Sequence, residues 1–384
     1  MCTHEIVFTL RWKRLFLLAA TCLAAEPRLK KAPGEGFSLA GQVHDRQALN
    51  RAHDVELQGE LAFVAGKGGS LAIIDVSRPT KPELLSSLVD PVGLEDAETV
   101  LPMGKILLLG ARDLIAIDIS DPRRPTIVRR LSDRSKIDKI NGMALRGSHL
   151  FTANKTGSVA VFDVSDPSNP KRRGVLNTRT HGGLRSPHDI AVFGDRIIVV
   201  NAARESDAYV RVYQVADPKT HRLLPVEKWR EEGAIGDGDP MSGGLQGANR
   251  AALAGRHACI GAFVHHRVGL IDLGRPRQLT QTANAPFCDL YATGMAATGK
   301  VLFVAGGQCV EAFDISDPSR PLSIARYCGG DLFPTRRYNF NAEIRQDNAH
   351  DLVYRNGFVY VTAQNDHSLG VLKVTNPRVL KLAK

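Results

Sequence analysis

Three histidine–aspartate pairs stand far apart in the chain: His53-Asp54, His188-Asp189 and His350-Asp351. Each opens an apolar run, with Val55, Ile190 and Leu352 next in line. Three imidazoles and a carboxylate form a competent ligand set for Zn²⁺, Cu²⁺ or Fe²⁺. Glu98 occupies the equivalent place in another unit and would be the carboxylate. In that scheme His53, His188, His350 and Glu98 bind the metal, while Asp54, Asp189 and Asp351 orient the imidazoles from behind. A vacant coordination position would then support hydrolysis or oxidation. Against this stands a plainer role, in which a His-Asp pair caps the start of a strand through local side-chain to backbone bonds. It would recur because repeated units inherit their parts.

The elements that position these pairs are set by a recurring phrase: an apolar run, an acid, and a proline-bounded turn. Clear copies are Leu71-Ala-Ile-Ile-Asp-Val-Ser-Arg-Pro79, Leu114-Ile-Ala-Ile-Asp-Ile-Ser-Asp-Pro122, Val159-Ala-Val-Phe-Asp-Val-Ser-Asp-Pro167 and Val310-Glu-Ala-Phe-Asp-Ile-Ser-Asp-Pro318. Weaker copies start at Val210, Val268 and Leu369, which brings the count to seven. Repetition at this period means one supersecondary unit stacked many times. Within residues 53–88, His53–Leu57 alternates apolar and polar, Leu61–Ala65 and Leu71–Asp75 are apolar runs, and Glu83–Leu88 is an outer strand. Proline-containing Ser77–Pro82 breaks the ladder between the last two, since proline lacks the amide a central strand needs. Four short antiparallel strands repeated radially make a propeller blade, so the expected fold is all-β, a seven-bladed β-propeller of four-stranded antiparallel blades. The recurring acids at 75, 118, 163, 272 and 314 sit just before turns, where a carboxylate accepts turn amides.

Aligned on this phrase, the start of the first strand holds His53, Glu98, Asn141, His188, Asn249, Thr293 and His350. All are polar although apolar runs follow. First strands line a propeller's central channel, so the seven should form one ring at a channel mouth. Metal binding then meets a geometric objection. Units seven and one are neighbours, but unit four lies across the channel, and Zn–N bonds of ~2.0–2.1 Å demand convergence. His181 and His265-His266 read as exposed or packing side chains. Spacing between repeats locates longer connections at His221 to Gly247 and at Cys328 to Asn348, and such insertions map to loops, often on a binding face. Either Phe37–Val43 or Arg378–Leu382 supplies a strand that fastens the ring.

The phrase resembles the LVIVD repeat of bacterial exported β-propeller proteins, over all seven units from about residue 50 to the C-terminus. The resemblance implies a propeller and carries little about function, since fold does not fix activity. Gln214 and Lys373 replace the acid in units four and seven.

Ahead of the repeats, Arg11, Lys13 and Arg14 precede an apolar stretch from Leu15 to Ala25 that ends in small residues. This reads as a signal peptide over 1–25, too short to span a bilayer, which needs ~20 apolar residues. Residues 26–49 form an N-terminal segment before the propeller of 50–384. The expected location is therefore periplasmic, cell-surface or extracellular; Ala19-Ala-Thr-Cys22 is a poor lipidation site. Net charge is +10, with Lys and Arg scattered through turns. That allows weak attraction to anionic surfaces and gives no basic–aromatic groove for nucleic acid. Beyond the signal lie Cys259, Cys288, Cys309 and Cys328. Export permits a disulfide, and Cys288–Cys328, each after the last strand of adjacent units, is the favoured pair. No phosphate-binding loop, dinucleotide fingerprint, nucleophile elbow or zincin helix occurs. The leading expectation is a binding scaffold that receives a protein or small ligand at the channel mouth and long loops. The alternative is a metal-dependent hydrolase or oxidoreductase at the same ring.

Overall fold

A computed structural model describes residues 35–177, 185–202, 209–236, 245–262, 267–275, 280–286, 292–333 and 348–384. Glycine turns and one proline-bounded turn per repeat interrupt the chain, so the apolar runs become short strands. These assemble into seven four-stranded antiparallel sheets. The first strands, from blade one to blade seven, are Ala52–Gln58, Thr99–Met103, Ile140–Arg146, Pro187–Phe193, Ala248–Ala254, Gly294–Thr298 and Ala349–Arg355. Blades one to six take their four strands consecutively.

Blade seven is the exception. Its outer strand is the N-terminal Phe37–His44, paired antiparallel with Ser368–Val374 from Phe37↔Val374 to His44↔Ser368. The other closing candidate is not a strand: Pro377–Leu382 is helical, with proline in its first turn and Asn376 accepting from the Arg378 and Val379 amides.

Cores lie between blades, because each sheet buries both faces against its neighbours. Phe63, Ile73, Leu107 and Ile117 fill one seam; Ala62, Val64, Ile74, Tyr360 and Val371 fill the seam between the last blade and the first. The recurring acids end strands and accept the amide two residues on. Ser77 N to Asp75 is 2.8 Å, Ser120 N to Asp118 2.8 Å, Ser165 N to Asp163 3.0 Å, Gly274 N to Asp272 2.8 Å and Ser316 N to Asp314 2.9 Å. Hydrogen bonds from Ser77, hydroxyl and amide, hold the Asp75 carboxyl below its ordinary range. Gln214 performs the turn closure with reversed polarity, its amide donating to Ala216 O at 2.5 Å.

The disulfide corrects the sequence expectation. Cys328 pairs with Cys309 rather than Cys288. Cys309 begins the third strand of blade six and Cys328 ends the fourth, directly opposite it in the antiparallel register, so the bridge lies within one blade. Cys288 falls outside the described residues, and Cys259 is a buried free thiol. Of the two long connections, part is ordinary blade: Arg230–Ile235 is the outer strand of blade four, and Trp229 packs on Phe151 at 5.8 Å. After Cys328, Leu332 and Phe333 are buried in the blade six–seven core. Residues 237–244 and 334–347, with His181, His265 and His266, lie outside the described residues.

Candidate functional site

A register shift places the ring. In blades one, three, four, five and seven the first-strand ladder slips between Ala52 and Asp54, Ile140 and Gly142, Pro187 and Asp189, Ala248 and Arg250, and Ala349 and Leu352. The skipped residues include His53, Asn141, His188, Asn249 and His350. A bulge leaves its extra residue unpaired and re-aims its side chain. In blades two and six, Glu98 and Thr293 stand just ahead of the strand. All seven ring residues are buried, Glu98 to 1% exposure and Asn141 to 0%.

The histidines reach sideways to the next blade. His53 Nδ1 lies 2.8 Å from Glu98 O, His188 Nδ1 3.0 Å from Asn249 O, and His350 Nδ1 3.0 Å from His53 O. Each acceptor is the carbonyl of the neighbouring blade's ring residue. A carbonyl only accepts, so the partner assigns the proton to Nδ1, and Nε2 keeps the lone pair of a neutral imidazole. Burial is the main force holding all three well below the ordinary value of 6.5. His350 and Lys67 add to it at His53, Lys155 and Arg250 at His188, and Arg250 and Lys67 at His350.

Each adjoining aspartate grips the same neighbour two residues further on. Val100 N donates to Asp54 at 2.8 Å, Ala251 N to Asp189 at 2.9 Å and Val55 N to Asp351 at 3.4 Å. His-Asp is therefore a two-pronged clasp: the imidazole donates to a carbonyl and the carboxylate accepts an amide of the next blade. This corrects both sequence expectations for the pair. The aspartates do not orient the imidazoles, and the capping is between blades, not local.

The predicted ligand set does not assemble as one cluster. His53 and His350 stack, ring centroids 3.8 Å apart. Glu98 joins them through His53 Nε2 at 3.1 Å, and also receives Lys67 Nζ at 2.5 Å and Asn141 Nδ2 at 3.1 Å. His188 is committed to the blade four–five seam instead. Among the described residues, no three His, Cys, Asp or Glu groups are placed to hold a metal ion.

Beneath the ring, Arg250 is the residue that sequence reasoning missed. It follows Asn249 and reaches Asp54 at 3.3 Å and Asp189 at 4.0 Å. Burial disfavours its charge, but Asp351, Asp54, Asp189 and Glu98 outweigh it and raise the pKa. Burial, and then the neighbouring Asp54 carboxyl, hold Asp351 well above its usual range. Glu56 is pushed up to about 8 by burial, then by Asp54. Lys67 was also missed, hidden in a glycine turn. An arginine inside an otherwise small and apolar strand (Ala248 to Ala254) was a legible signal for the first; nothing local marked the second.

Fold and site together define a seven-bladed β-propeller with a buried polar ring in its channel. A sequence model of the LVIVD repeat matches residues 51–90, 110–133 and 140–178, stretches that lie in the first three blades. No curated protein matches the sequence. Among solved structures it resembles the Neurospora crassa Pan2 WD40 domain, with a TM-score of 0.60 and 12% identity over 91% of this chain and 98% of that one. It also resembles the computationally designed Ika8 protein, with a TM-score of 0.53 and 10% identity over 89% of this chain and 100% of that one. Likeness at such identities shows the fold alone.

Proposed function

We propose that the protein is an exported binding scaffold whose channel ring receives a partner rich in hydrogen-bond donors, on a protein or a small molecule. The carrying observation is a set of acceptors without donors. Among the described residues, Asn141 Oδ1 and Asn249 Oδ1 have no partner, and the Nδ1 bonds of His188 and His350 leave Nε2 of each as an acceptor. A buried polar atom left unpaired costs about 1–3 kcal/mol, and a donor-bearing partner offsets that cost. Lys67 is already committed to Glu98, so the free polarity at the ring is accepting. The long connections around residues 237–244 and 334–347 supply flanking contacts in this reading. Export is supported by the basic, apolar and small-residue order of residues 11–25. Among the described residues no helix is long and apolar enough to cross a membrane.

The test compares the purified mature chain with an Asn249→Ala, His188→Ala variant whose β circular dichroism is intact. Binding partners recovered from the producing cell's envelope should be retained by the wild type and lost by the variant. Elemental analysis should find no stoichiometric metal. Capture indifferent to the ring would overturn the proposal. So would one equivalent of metal that vanishes on His53, His188 and His350 replacement, which would establish the metal-dependent enzyme instead.

A further inference from the structure

One residue along from the ring, the channel contains a cavity of about 210 Å³. Its polar lining is Asp54, Glu56, Asp189, Asp351 and Arg250, with Thr99 beside them; Met143, Met295, Leu101 and Val353 are among its apolar walls. Four carboxyl groups thus face one guanidinium. A structural ion network of this depth is stable when every member is closely paired, and breaking it is costly. This one is not closed. Arg250 is 6% exposed, makes one contact at 3.3 Å and another at 4.0 Å, and its Nε–H has no partner. Glu56 makes no ion pair among the described residues. Partly satisfied polar groups beside apolar walls are the pattern of a small-ligand site.

We propose that this cavity binds a small organic cation, a primary ammonium on a short apolar frame, with its charge against Glu56, Asp54 and Asp351 and its frame against Met143 and Met295. Carboxyl groups outnumber cations in this lining, and an ammonium placed among them offsets the cost of ionising the buried Glu56. An inorganic ion is disfavoured because no three of these groups are placed to ligate one. The unbranched thioethers supply a soft, adaptable wall for an alkyl frame. A volume well below the ~300–1,000 Å³ of drug-sized sites limits the ligand to a few heavy atoms. The ring acceptors play no part, so this site stands or falls separately from the proposed function.

Isothermal titration of the whole mature chain at pH 9, where Glu56 is ionised and an alkylammonium of pKa ~10.4 keeps its charge, with n-butylammonium, n-butanol and n-butyrate tests it. The three probes share a frame and differ in charge. The ammonium should bind, the alcohol about tenfold more weakly or worse, and the carboxylate not at all. Glu56→Gln, whose thermal midpoint is checked beside the wild type, should weaken the ammonium about tenfold. Absence of ammonium binding overturns the proposal. Equal binding of the alcohol would mean an apolar cavity only, preference for butyrate would mean an anion site on Arg250, and an unaffected Glu56→Gln would remove the carboxylate role. Each of these is likewise a refutation. Because the probe comparison is made on the wild type, it holds even if the variant folds poorly.

Discussion

Two kinds of seam hold the ring together. Between blades one and two, four and five, and seven and one, a His-Asp clasp grips a carbonyl and an amide of the next blade. Between blades three and four, and six and seven, the aspartate position holds Gly142 or Gly294. There the backbones approach so closely that a Cβ on Gly142 would stand 2.7 Å from Asp189 Cα, and one on Gly294 2.4 Å from Asp351 Cα. Thr293 adds a hydroxyl to Ala349 O at 3.1 Å in the second case. One position in the repeat thus solves the same mechanical problem by adding polar groups or by removing a side chain. Of these two solutions only the first brings ionisable groups into the channel; at the seams of blades two–three and five–six the same position holds Thr99 and Arg250.

The comparison breaks most readily at Arg250, where the clasp aspartates of blades one, four and seven converge. Arg250→Met should cost about 3–5 kcal/mol in urea unfolding, because it leaves buried carboxylates without their cation. A loss below about 1 kcal/mol would show that the aspartates are neutral and the clasps independent of it. Gly294→Ala comes next, at about 1–3 kcal/mol, since backbone rather than a flexible side chain must give way. A neutral outcome would mean the glycine seams are looser than the clasped ones. His188→Phe keeps the ring and removes the donor to Asn249 O, for about 1 kcal/mol; a thermal midpoint equal to wild type would demote the clasp to a bystander.

The pH dependence separates the two tiers. For the ring histidines the folded pKa lies below the unfolded value of 6.5, so the unfolded chain binds more protons in that window and stability drops as pH falls beneath about 6.5. For Glu56 the sign reverses: its folded pKa of about 8 exceeds the ordinary 4.5, so stability is lost as pH rises through 8. Glu56→Gln is therefore the mildest change at pH 7, where glutamine mimics the protonated acid, and it should flatten the alkaline limb. Unfolding midpoints at pH 5, 7 and 9 would decide the matter, and an alkaline limb identical in both proteins would contradict it.

Blade number and strand count were legible because each rests on short-range pattern. An acid before Ser and Pro reads as a turn whether or not its neighbours are known, and counting from it finds His53, His188 and His350. The direction of those side chains was not legible. Whether Asp54 turns toward His53 or toward Val100 depends on a bulge and on the rotation between blades, neither of which a single strand encodes. The same limit produced the misassigned bridge: Cys309 and Cys328 meet through strand register inside one blade, whereas the favoured pairing assumed contact across blades. Closure was ambiguous because Phe37–Val43 and Arg378–Leu382 are both short and apolar. Asn376 and Pro377 break the tie by starting a helix.

The strand Phe37–His44, described above only as an outer edge, also sets the order of events in folding. It is among the first segments of the propeller to leave the ribosome and pairs with Ser368–Val374, which is among the last. Until that late strand exists, the early one has no ladder to join, so the circle stays open throughout synthesis. Contacts of such long sequence separation form slowly, after local hairpins are complete. Every blade but the seventh can assemble its sheet as it is made; the outer strand of the seventh, synthesised before all the others, must wait for the rest of its sheet, which makes closure a single late event joining the two ends of the propeller.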